Sequence, residues 1–368
     1  MKEVTTRYLG LDVHKATISV AVADEGVAPV LFGTISNDPT AVRKAVSQLK
    51  RGGKLVAAYE AGPTGYGLHR QLKELGVDCI VVAPALIPRR AADRVKTDKR
   101  DAIALARLLR SGDLTAVWVP GQEDEALRDL VRSRFDAKDD LRRAMHRLAK
   151  FLLRQSIQIP PGMRPWSTRH LQWLDALQLD NPTSHLVLED YRLAVHAARE
   201  RVRRLESDLE RCAQNSSRLG LILALQVLRG IAFISAVTIV AEVGDFRRFP
   251  DAPRFMSFTG LTVSEHSSGQ SRRQGRITRA GNRYLRHILV QAAHNARFTP
   301  SLGGELKQRL NGVPADLVDF SVRAQTRLHR RYRHLDRRIG RPKAVTAVGR
   351  ELAGFVWAIG QRMEASAA

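Results

Sequence analysis

The first 115 residues of this chain alternate short apolar runs with amphipathic segments, and their order restricts the fold more than any other feature. Apolar runs bounded by turn residues predict strands at 8–13, 17–23, 30–35, 54–59 and 77–82. Helical spacing of apolar residues predicts helices at 39–49, at 64–75 and from about residue 98 onward. The first three strands follow one another directly and form a meander, whereas helices separate the later strands.

The resulting order, βββαβαβα, is typical of the ribonuclease H fold, in which the central strands of a mixed sheet carry acidic residues at their ends. Asp12 ends the first predicted strand and Glu60 follows the fourth, so both carboxylates would emerge side by side. Asp98 and Asp101 lie in the first turn of the third predicted helix, which would cross over them. Acids are also common at helix N-termini and in turns, but four acids at the strand ends and helix turn that this fold brings together favour one shared site.

Four carboxylates gathered in one site would raise each other's pKa and compete for protons unless a cation neutralised them. Mg²⁺ prefers carboxylate oxygens, and two such ions a few ångströms apart can hold the attacking and leaving oxygens of a phosphodiester. The two cysteines, Cys79 and Cys212, do not form a pattern typical of a disulfide framework or a thiolate cluster. The residues therefore predict Mg²⁺ bound by oxygen ligands.

The charge of the chain predicts a polyanionic partner, because 60 Lys and Arg residues against 37 Asp and Glu residues leave a net charge of +23. Nucleic acid is the first candidate and an anionic membrane surface is the second. No apolar run approaches the length of a membrane span, and the first residues do not have the pattern of a secretory signal. We expect a cytoplasmic protein that binds nucleic acid and does not enter a membrane.

Residues 120–218 form a second predicted region, which begins at Pro120-Gly121 and contains two long stretches with apolar residues at alternating three- and four-residue steps. The first stretch runs from Leu127 to Phe151, with Arg134 as one polar residue among the apolar positions, and the second runs from Leu188 to Cys212. We expect a coiled-coil region that pairs as a hairpin within one chain, across a dimer, or both. Its outer faces carry Arg142, Arg143, Arg147, Arg199, Arg201, Arg203 and Arg204. These charges fit a solvated surface or contact with a nucleic-acid backbone equally well.

Residues 219–368 are predicted to form a mainly α-helical domain that contains one polar segment, 258–269, with the composition of a loop. A basic stretch follows it. A helix is predicted to open near Gly281-Asn282 with arginines on one face and apolar residues on the other. The predicted nucleic-acid contacts of this stretch are Arg272, Arg273, Arg276, Arg279, Arg283 and Arg286, with Arg279, Arg283 and Arg286 on the basic helix face. An amphipathic helix around 345–359 closes the chain.

Three short motifs are similar to those of a known family: Gly10-Leu11-Asp12-Val13-His14-Lys15, Tyr59-Glu60-Ala61-Gly62-Pro63-Thr64-Gly65 and Lys96-Thr97-Asp98-Lys99-Arg100-Asp101-Ala102. They resemble the DEDD insertion-sequence transposases, grouped as insertion-sequence family one-ten, which are relatives of the RuvC Holliday-junction resolvase and of Piv-type DNA invertases. The similarity covers nearly the whole chain. It implies a RuvC-like first domain whose catalytic, Mg²⁺-binding tetrad is Asp12, Glu60, Asp98 and Asp101.

The same resemblance implies further roles around the tetrad. Lys96, Lys99 and Arg100 would contact phosphate. His14 matches the first motif and would either contact the site or be a solvated loop histidine.

The segment 258–269 is similar to the family's carboxy-terminal motif, in which a serine before a glycine is the nucleophile. The resemblance implies Ser268 as that nucleophile, with Ser267 and Ser264 as alternatives, although Val263 stands where the family more often has proline. In the family the serine and the metal site belong to different subunits, so a homo-oligomer, a dimer or a tetramer, is expected.

The resemblance implies a Mg²⁺-dependent DNA transposase or recombinase that breaks and rejoins element ends and target DNA through a phosphoserine intermediate. Its sites would be chosen by base pairing with a bridge RNA. Among enzymes, the alternative is a RuvC-like nuclease or Holliday-junction resolvase that hydrolyses with water. The alternative of another class is a non-catalytic nucleic-acid-binding protein on a decayed ribonuclease H scaffold, and the intact tetrad argues against it.

Overall fold

A computed structural model describes residues 5–51, 53–88, 97–268 and 271–365, with the backbone alone for 266–268 and 271–273. Contacts between Cα atoms divide the chain into two compact units, residues 1–120 and 121–368. The predicted boundary at 218–219 lies inside the second unit and stays a prediction. Within the described ranges, none of the helices combines the length and the hydrophobicity that crossing a membrane requires.

The amino-terminal unit is built on a five-stranded sheet with the order β3-β2-β1-β4-β5. Its strands are β1 Thr6–Val13, β2 Thr17–Ala23, β3 Val30–Ser36, β4 Lys54–Glu60 and β5 Asp78–Val82. The central strand, β1, pairs antiparallel with β2 and parallel with β4. This mixed sheet and its strand order agree with the ribonuclease H-like prediction.

Three helices accompany the sheet: α1 Pro39–Lys50, α2 Gly67–Glu74 and α3 Asp98–Ser111. Helix α2 begins later than predicted because Gly65 has a left-handed backbone, with φ of 67°, which a helix cannot include. Helix α3 begins where the sequence predicts, since the Thr97 hydroxyl accepts a hydrogen bond from the backbone N–H of Arg100. It contacts β1, β2 and β4.

The approach of α3 to the centre of the sheet depends on Gly10 in β1. A Cβ atom at this position would lie 2.0 Å from the carbonyl oxygen of Ala102 and 2.4 Å from the backbone nitrogen of Ala106. These are backbone atoms of α3, so no side-chain rotation can move them aside. The absence of a side chain at Gly10 therefore sets how closely α3 approaches the sheet, and with it the position of the helix's first turn.

The carboxy-terminal unit is mainly helical, as predicted. Its helices are α4 Gln122–Arg154, α5 Thr168–Ala176, α6 Pro182–Gln214, α7 Leu219–Leu225, α8 Phe233–Val243, α9 Ala252–Phe258, α10 Arg283–Ala293, α11 Glu305–Arg309, α12 Ala315–Ile339 and α13 Arg341–Ala365. An antiparallel hairpin, β6 Val263–Ser268 and β7 Ser271–Ile277, lies between α9 and α10. The core collects around α8, which α4, α6, α7 and α10 contact.

Helices α4 and α6 pair in antiparallel orientation within one chain. Arg134 of α4 contacts Glu206 of α6, and Phe151 near the end of α4 contacts Tyr191 near the start of α6. The charge of Arg134, the polar residue in the predicted apolar seam, is neutralised because its Nε and Nη2 donate to Glu206 Oε1 at 3.0 and 2.5 Å. Coiled-coil geometry and pairing between subunits stay predictions.

Several arginines on the outer faces of this helix pair are engaged by nearby acids. Those with ion pairs to Asp139, Asp140 or Glu200 are Arg142, Arg143, Arg201 and Arg203. For these four residues the contacts favour the solvated-surface explanation over nucleic-acid contact.

Replacing Gly10 by alanine is expected to lower the free energy of unfolding by about 2 kcal/mol or more, because the added methyl group overlaps backbone atoms of α3. Chemical denaturation followed by circular dichroism measures this change. Gly67→Ala is the matched control, since a Cβ atom at Gly67 would have no heavy atom of a described residue within 4 Å beyond its chain neighbours and its own helix backbone. This variant should keep its stability or gain up to about 1 kcal/mol. A Gly10→Ala protein as stable as the wild type would contradict the close-packing explanation.

Candidate active site and nucleic-acid interface

Asp12 and Glu60 lie at the carboxyl ends of two neighbouring parallel strands. Leu11 of β1 pairs with Tyr59 of β4, so the next residue of each strand is one of the two acids. The Tyr59 hydroxyl donates to the Gly65 carbonyl at 3.0 Å, which ties the turn after β4 to the end of the strand. The structure thus brings Asp12 and Glu60 to the same edge of the sheet.

Asp98, the first residue of α3, lies at this end of the strands, and His14 lies between Asp98 and Asp12. His14 Nε2 is 3.3 Å from Asp12 Oδ2 and 3.4 Å from Asp98 Oδ1. One potential ligand atom from each of these three residues lies within 4.8 Å of the other two. The sequence is compatible with His14 either at the acidic site or in a solvated loop, and the structure places it beside Asp12 and Asp98. Glu60 and Asp101 are outside this three-residue group.

Both burial and neighbouring charges shift the pKa of Asp12. Partial burial raises the pKa of Asp12 above the usual aspartate value, His14 opposes the shift, and the charges of Asp98 and Asp101 add to it. Asp101 therefore acts on Asp12 electrostatically although it stands outside the close group. A partly buried carboxylate, Asp12, with the exposed carboxylate of Asp98 and an imidazole nitrogen in reach, fits a divalent cation.

Cations lie beside these acids in the first turn of α3. Lys99 and Arg100 are both exposed there, next to Asp98. Exposed cations beside an acidic site can contact the phosphates of a bound strand. Lys96, the third predicted phosphate contact, lies outside the described residues.

The polar segment that was expected to be a loop is a β-hairpin. Ser268 ends β6 and pairs with Ser271, and Ser267 pairs with Arg272. The loop prediction was wrong because these strands are rich in hydroxyls and charges and lack the apolar alternation that identifies a strand in a sequence. Their backbone groups satisfy one another across the hairpin. The side chains of Ser267, Ser268, Arg272 and Arg273 lie outside the described part of the structure.

Ser264 is the alternative nucleophile whose side chain is described. Its hydroxyl donates to the carbonyl oxygen of Arg276 at 3.2 Å. The opposite strand closes over it, since a Cβ atom at Gly275 would lie 2.3 Å from Ser264 Oγ. The Ser264 hydroxyl therefore supports the hairpin, which makes Ser264 a weaker candidate nucleophile.

Arg279 and Arg286, two of the arginines predicted to contact nucleic acid, have structural environments that differ from the prediction. Arg279 lies in the loop before α10, with φ of 55°, and not on the helix, because the Asn282 side chain caps α10 and starts it at Arg283. Arg286 is on the helix but half-buried, and its Nη1 donates to the carbonyls of Thr259 at 3.1 Å and Arg279 at 3.4 Å. Arg286 therefore holds the loop that carries Arg279.

Helix α10 otherwise has the two predicted faces. Its buried apolar face consists of Leu285, Ile288, Leu289, Ala292 and Ala293. Arg283 is exposed at the start of the helix, where its guanidinium lies 4.7 Å from the Tyr284 ring and donates to the Tyr284 hydroxyl. Tyr284 thus orients an exposed arginine.

A groove of about 1050 Å³ lies between β7 and the helices α12 and α13. Arg276 and Arg279 line it from the hairpin side, and Lys343 and Arg350 line it from α13. Cations that converge from separate elements on one groove make it a candidate site for a phosphate backbone. Sequence reasoning missed Lys343 and Arg350, although their seven-residue spacing, which places them on one helix face, was an available signal.

The buried carboxylate of Glu242 anchors the start of α10. Glu242 belongs to the apolar helix α8, its side chain is 0% exposed, and it accepts hydrogen bonds from Arg132 of α4 at 2.8 and 3.0 Å. Asn282, the cap of α10, donates to it at 2.6 Å. A buried charge is costly unless it is paired and hydrogen-bonded, so this network ties α4, α8 and α10 together. The sequence analysis did not identify Glu242, although a single acid within an apolar helical run was an available signal of a buried, paired carboxylate.

Mg²⁺ is expected to stabilise the wild-type protein against thermal unfolding, by about 2.7 kcal/mol at an ion concentration a hundredfold above its Kd. Asp12→Asn should abolish this gain. In the presence of a chelator, however, the variant should be at least as stable as the wild type, because it lacks a partly buried charge that Asp98 and Asp101 repel. Scanning calorimetry with Mg²⁺ and with chelator measures both effects.

Asp78→Asn is the matched control for this measurement. Asp78 begins β5, at the end of the strands opposite to Asp12 and Glu60, where it forms an ion pair with Lys54 at 2.9 Å. This variant should respond to Mg²⁺ as the wild type does. A response to Mg²⁺ that survives Asp12→Asn, or that Asp78→Asn removes, would argue against a metal site at Asp12.

Arg132→Met is expected to lower the free energy of unfolding by about 3 kcal/mol, because it leaves the buried Glu242 carboxylate without its bidentate partner. The control is Arg142→Met, which removes an exposed arginine paired with Asp139 and should cost less than about 1 kcal/mol. Urea denaturation of both variants at neutral pH gives the comparison. Equal costs would show that Glu242 does not depend on Arg132.

Two family profiles match this chain. A DEDD-type transposase profile matches residues 9–156, and the profile of the transposase IS116/IS110/IS902 family matches residues 223–304. The y4qE protein of Sinorhizobium fredii, which is named as a transposase, is 41% identical over 356 residues, 96% of this chain and 88% of that protein. The transposase for insertion sequence element IS1533 of Leptospira borgpetersenii is 35% identical over 334 residues, 89% of this chain and 96% of that protein. This chain therefore belongs to the IS110 family of insertion-sequence transposases.

Proposed function

We propose that this transposase cuts and rejoins DNA through a phosphoserine intermediate at Ser268, with Mg²⁺ held by Asp12, Glu60, Asp98 and Asp101. The observation that supports the proposal most directly is the convergence of Asp12 and Asp98 at the end of the central strand, with Glu60 ending the neighbouring strand. The hairpin that carries Ser268 supports it as well, because its second strand is rich in arginine and suits a phosphodiester substrate.

The residues of the acidic site have distinct tasks in this proposal. Asp12 and Glu60 offer ligand oxygens from rigid strand ends, and Asp98 and Asp101 offer them from the first turn of α3. His14 contacts both Asp12 and Asp98 and so keeps these two carboxylates at a fixed separation. Mg²⁺ bound there would neutralise negative charge on the phosphate oxygens of the DNA.

The proposed cleavage step exchanges one phosphoester bond for another. Ser268 Oγ loses its proton and forms a bond to phosphorus, while the bond from phosphorus to one deoxyribose oxygen breaks and that oxygen takes up a proton. In rejoining, a free deoxyribose hydroxyl attacks the phosphoserine, and Ser268 recovers its proton. The number of phosphoester bonds is conserved, so strand exchange needs no ATP. A serine hydroxyl is a weak nucleophile at neutral pH, so the proposal requires the acidic site in the same reaction.

The proposed partners are element-end and target DNA, a bridge-type guide RNA and further copies of this chain. The net charge of +23 supports extensive contact with nucleic acid. Within the carboxy-terminal unit, the groove lined by Arg276, Arg279, Lys343 and Arg350 is the proposed contact for a phosphate backbone.

The experiment incubates the purified protein with Mg²⁺, labelled element-end DNA and RNA from the flanking noncoding region, and then denatures it and measures DNA bound covalently to protein. The wild type should form an adduct that a chelator prevents. Ser268→Ala should abolish the adduct because it removes the attacking oxygen. Asp12→Ala should reduce it on the order of a hundredfold or more because it removes charge stabilisation at the phosphate.

Ser264→Ala is the matched control, because the Ser264 hydroxyl is bonded within the hairpin and should not be required for the adduct. An adduct that survives Ser268→Ala but is lost in Ser267→Ala would move the nucleophile by one residue. Cleaved DNA without any adduct, unaffected by Ser268→Ala, would overturn the proposal in favour of a metal-dependent nuclease that uses water.

A further inference from the structure

Phe298 is an exposed aromatic residue with two arginines close to its ring, and it lies beyond helix α10 in the chain. The residue is 47% exposed and follows the short 3-10 helix His294–Arg297. The Arg297 guanidinium carbon lies 4.4 Å from the centre of the Phe298 ring, and that of Arg229 lies 5.9 Å from it. Arg229 is fixed in place, since its Nη1 donates to the Thr299 carbonyl at 2.8 Å.

Phe298 opens onto a cavity of about 610 Å³, here called the Phe298 cavity. It is lined by Arg297, Phe298, Tyr332, Arg333, Asp336 and Arg337. Three arginines against one aspartate leave the lining positively charged. Among the described residues, Arg297, Arg333 and Arg337 form no ion pair within 4 Å, so their charges remain for a ligand.

The Phe298 cavity is separate from the groove beside β7. Both use helix α12, but Arg331 lines the groove and Arg333 lines the cavity. Two residues apart on a helix means a rotation of about 200°, so these arginines face nearly opposite directions. Arg331 is also directed toward Glu351 of α13, at 4.0 Å, whereas the cavity side of α12 adjoins the segment around Phe298.

We propose that the Phe298 cavity binds an unpaired DNA strand, with one base stacked on the Phe298 ring and the neighbouring phosphates on Arg333 and Arg337. A half-exposed aromatic ring with guanidinium groups over it and further arginines beside it suits a single strand, because every base has a flat π-face and every linkage carries a negative charge. Paired bases cannot reach the ring, since both of their faces are covered in a duplex.

DNA is the strand chosen because a transposase that cuts and rejoins DNA generates unpaired DNA during strand exchange. The proposal thus rests on membership of the transposase family and not on the serine chemistry or the metal. It assigns Phe298, Arg333 and Arg337 a role in holding a displaced strand away from the reacting ends.

The test measures binding of full-length protein to fluorescent single-stranded oligodeoxythymidylate by anisotropy, in chelator so that no cleavage occurs. Phe298→Ala should weaken this binding about tenfold or more, and it should leave binding to a duplex of the same length unchanged. Phe298→Tyr should restore binding because it keeps the π-face. Phe32→Ala is the matched control, since Phe32 is 39% exposed on strand β3, no guanidinium of a described residue lies over its ring, and the variant should bind as the wild type does.

Three outcomes would overturn the assignment. Equal loss of single-strand and duplex binding in Phe298→Ala would show a general electrostatic surface, and no loss of either would show that Phe298 only packs against its arginines. A stronger effect on a matched single-stranded RNA than on DNA would assign the cavity to RNA. The binding assay contains chelator and detects no cleavage, so failure of the proposed cleavage chemistry is measured separately from failure of this site.

Discussion

The close contact between β1 and α3 is the constraint on which the acidic site depends. The helix lies against the strand because Gly10 has no side chain and because Ala102 and Ala106 present little bulk. This contact positions the first turn of α3 so that Asp98 meets His14 and Asp12 at the strand end. Partial burial raises the pKa of Asp12, and the charges of Asp98 and Asp101 add to this shift, so both oppose the ionised carboxylate. Apolar packing therefore holds these carboxylates close together, and a bound divalent cation would offset their repulsion.

The carboxy-terminal unit organises its basic elements around a buried charge. Glu242 is the one charged residue of the apolar helix α8, and it accepts hydrogen bonds from Arg132 and from Asn282. Because Asn282 also caps α10, the position of Arg283 and Arg286 depends on this carboxylate. Arg286 extends the arrangement to the loop that carries Arg279. Removing one partner of this network would leave an unpaired buried charge, so the network restricts how α4, α8 and α10 pack together.

Sequence reasoning predicted the amino-terminal unit closely, because apolar periodicity reports burial in strands and helices directly. β2, for example, has the bounds expected from its apolar run, and α3 starts at Asp98, as its apolar spacing predicts. It failed for the hairpin that carries Ser268, whose strands are polar and stabilised by each other's backbone. It also placed Arg279 on a helix, because spacing alone does not reveal that the Asn282 cap excludes the preceding residues.

The sequence by itself determined the chemical inventory of this protein: the acids at strand ends, the large positive charge, the helical periods and the motifs of an insertion-sequence transposase. Only the tertiary structure decided which of these residues meet. It brought His14 to Asp12 and Asp98, engaged Ser264 within the hairpin, and gathered Lys343 and Arg350 with hairpin arginines around one groove. The physical reason is that periodicity records whether a side chain is buried, whereas contacts between distant segments depend on close approaches, such as that at Gly10, that no local pattern encodes.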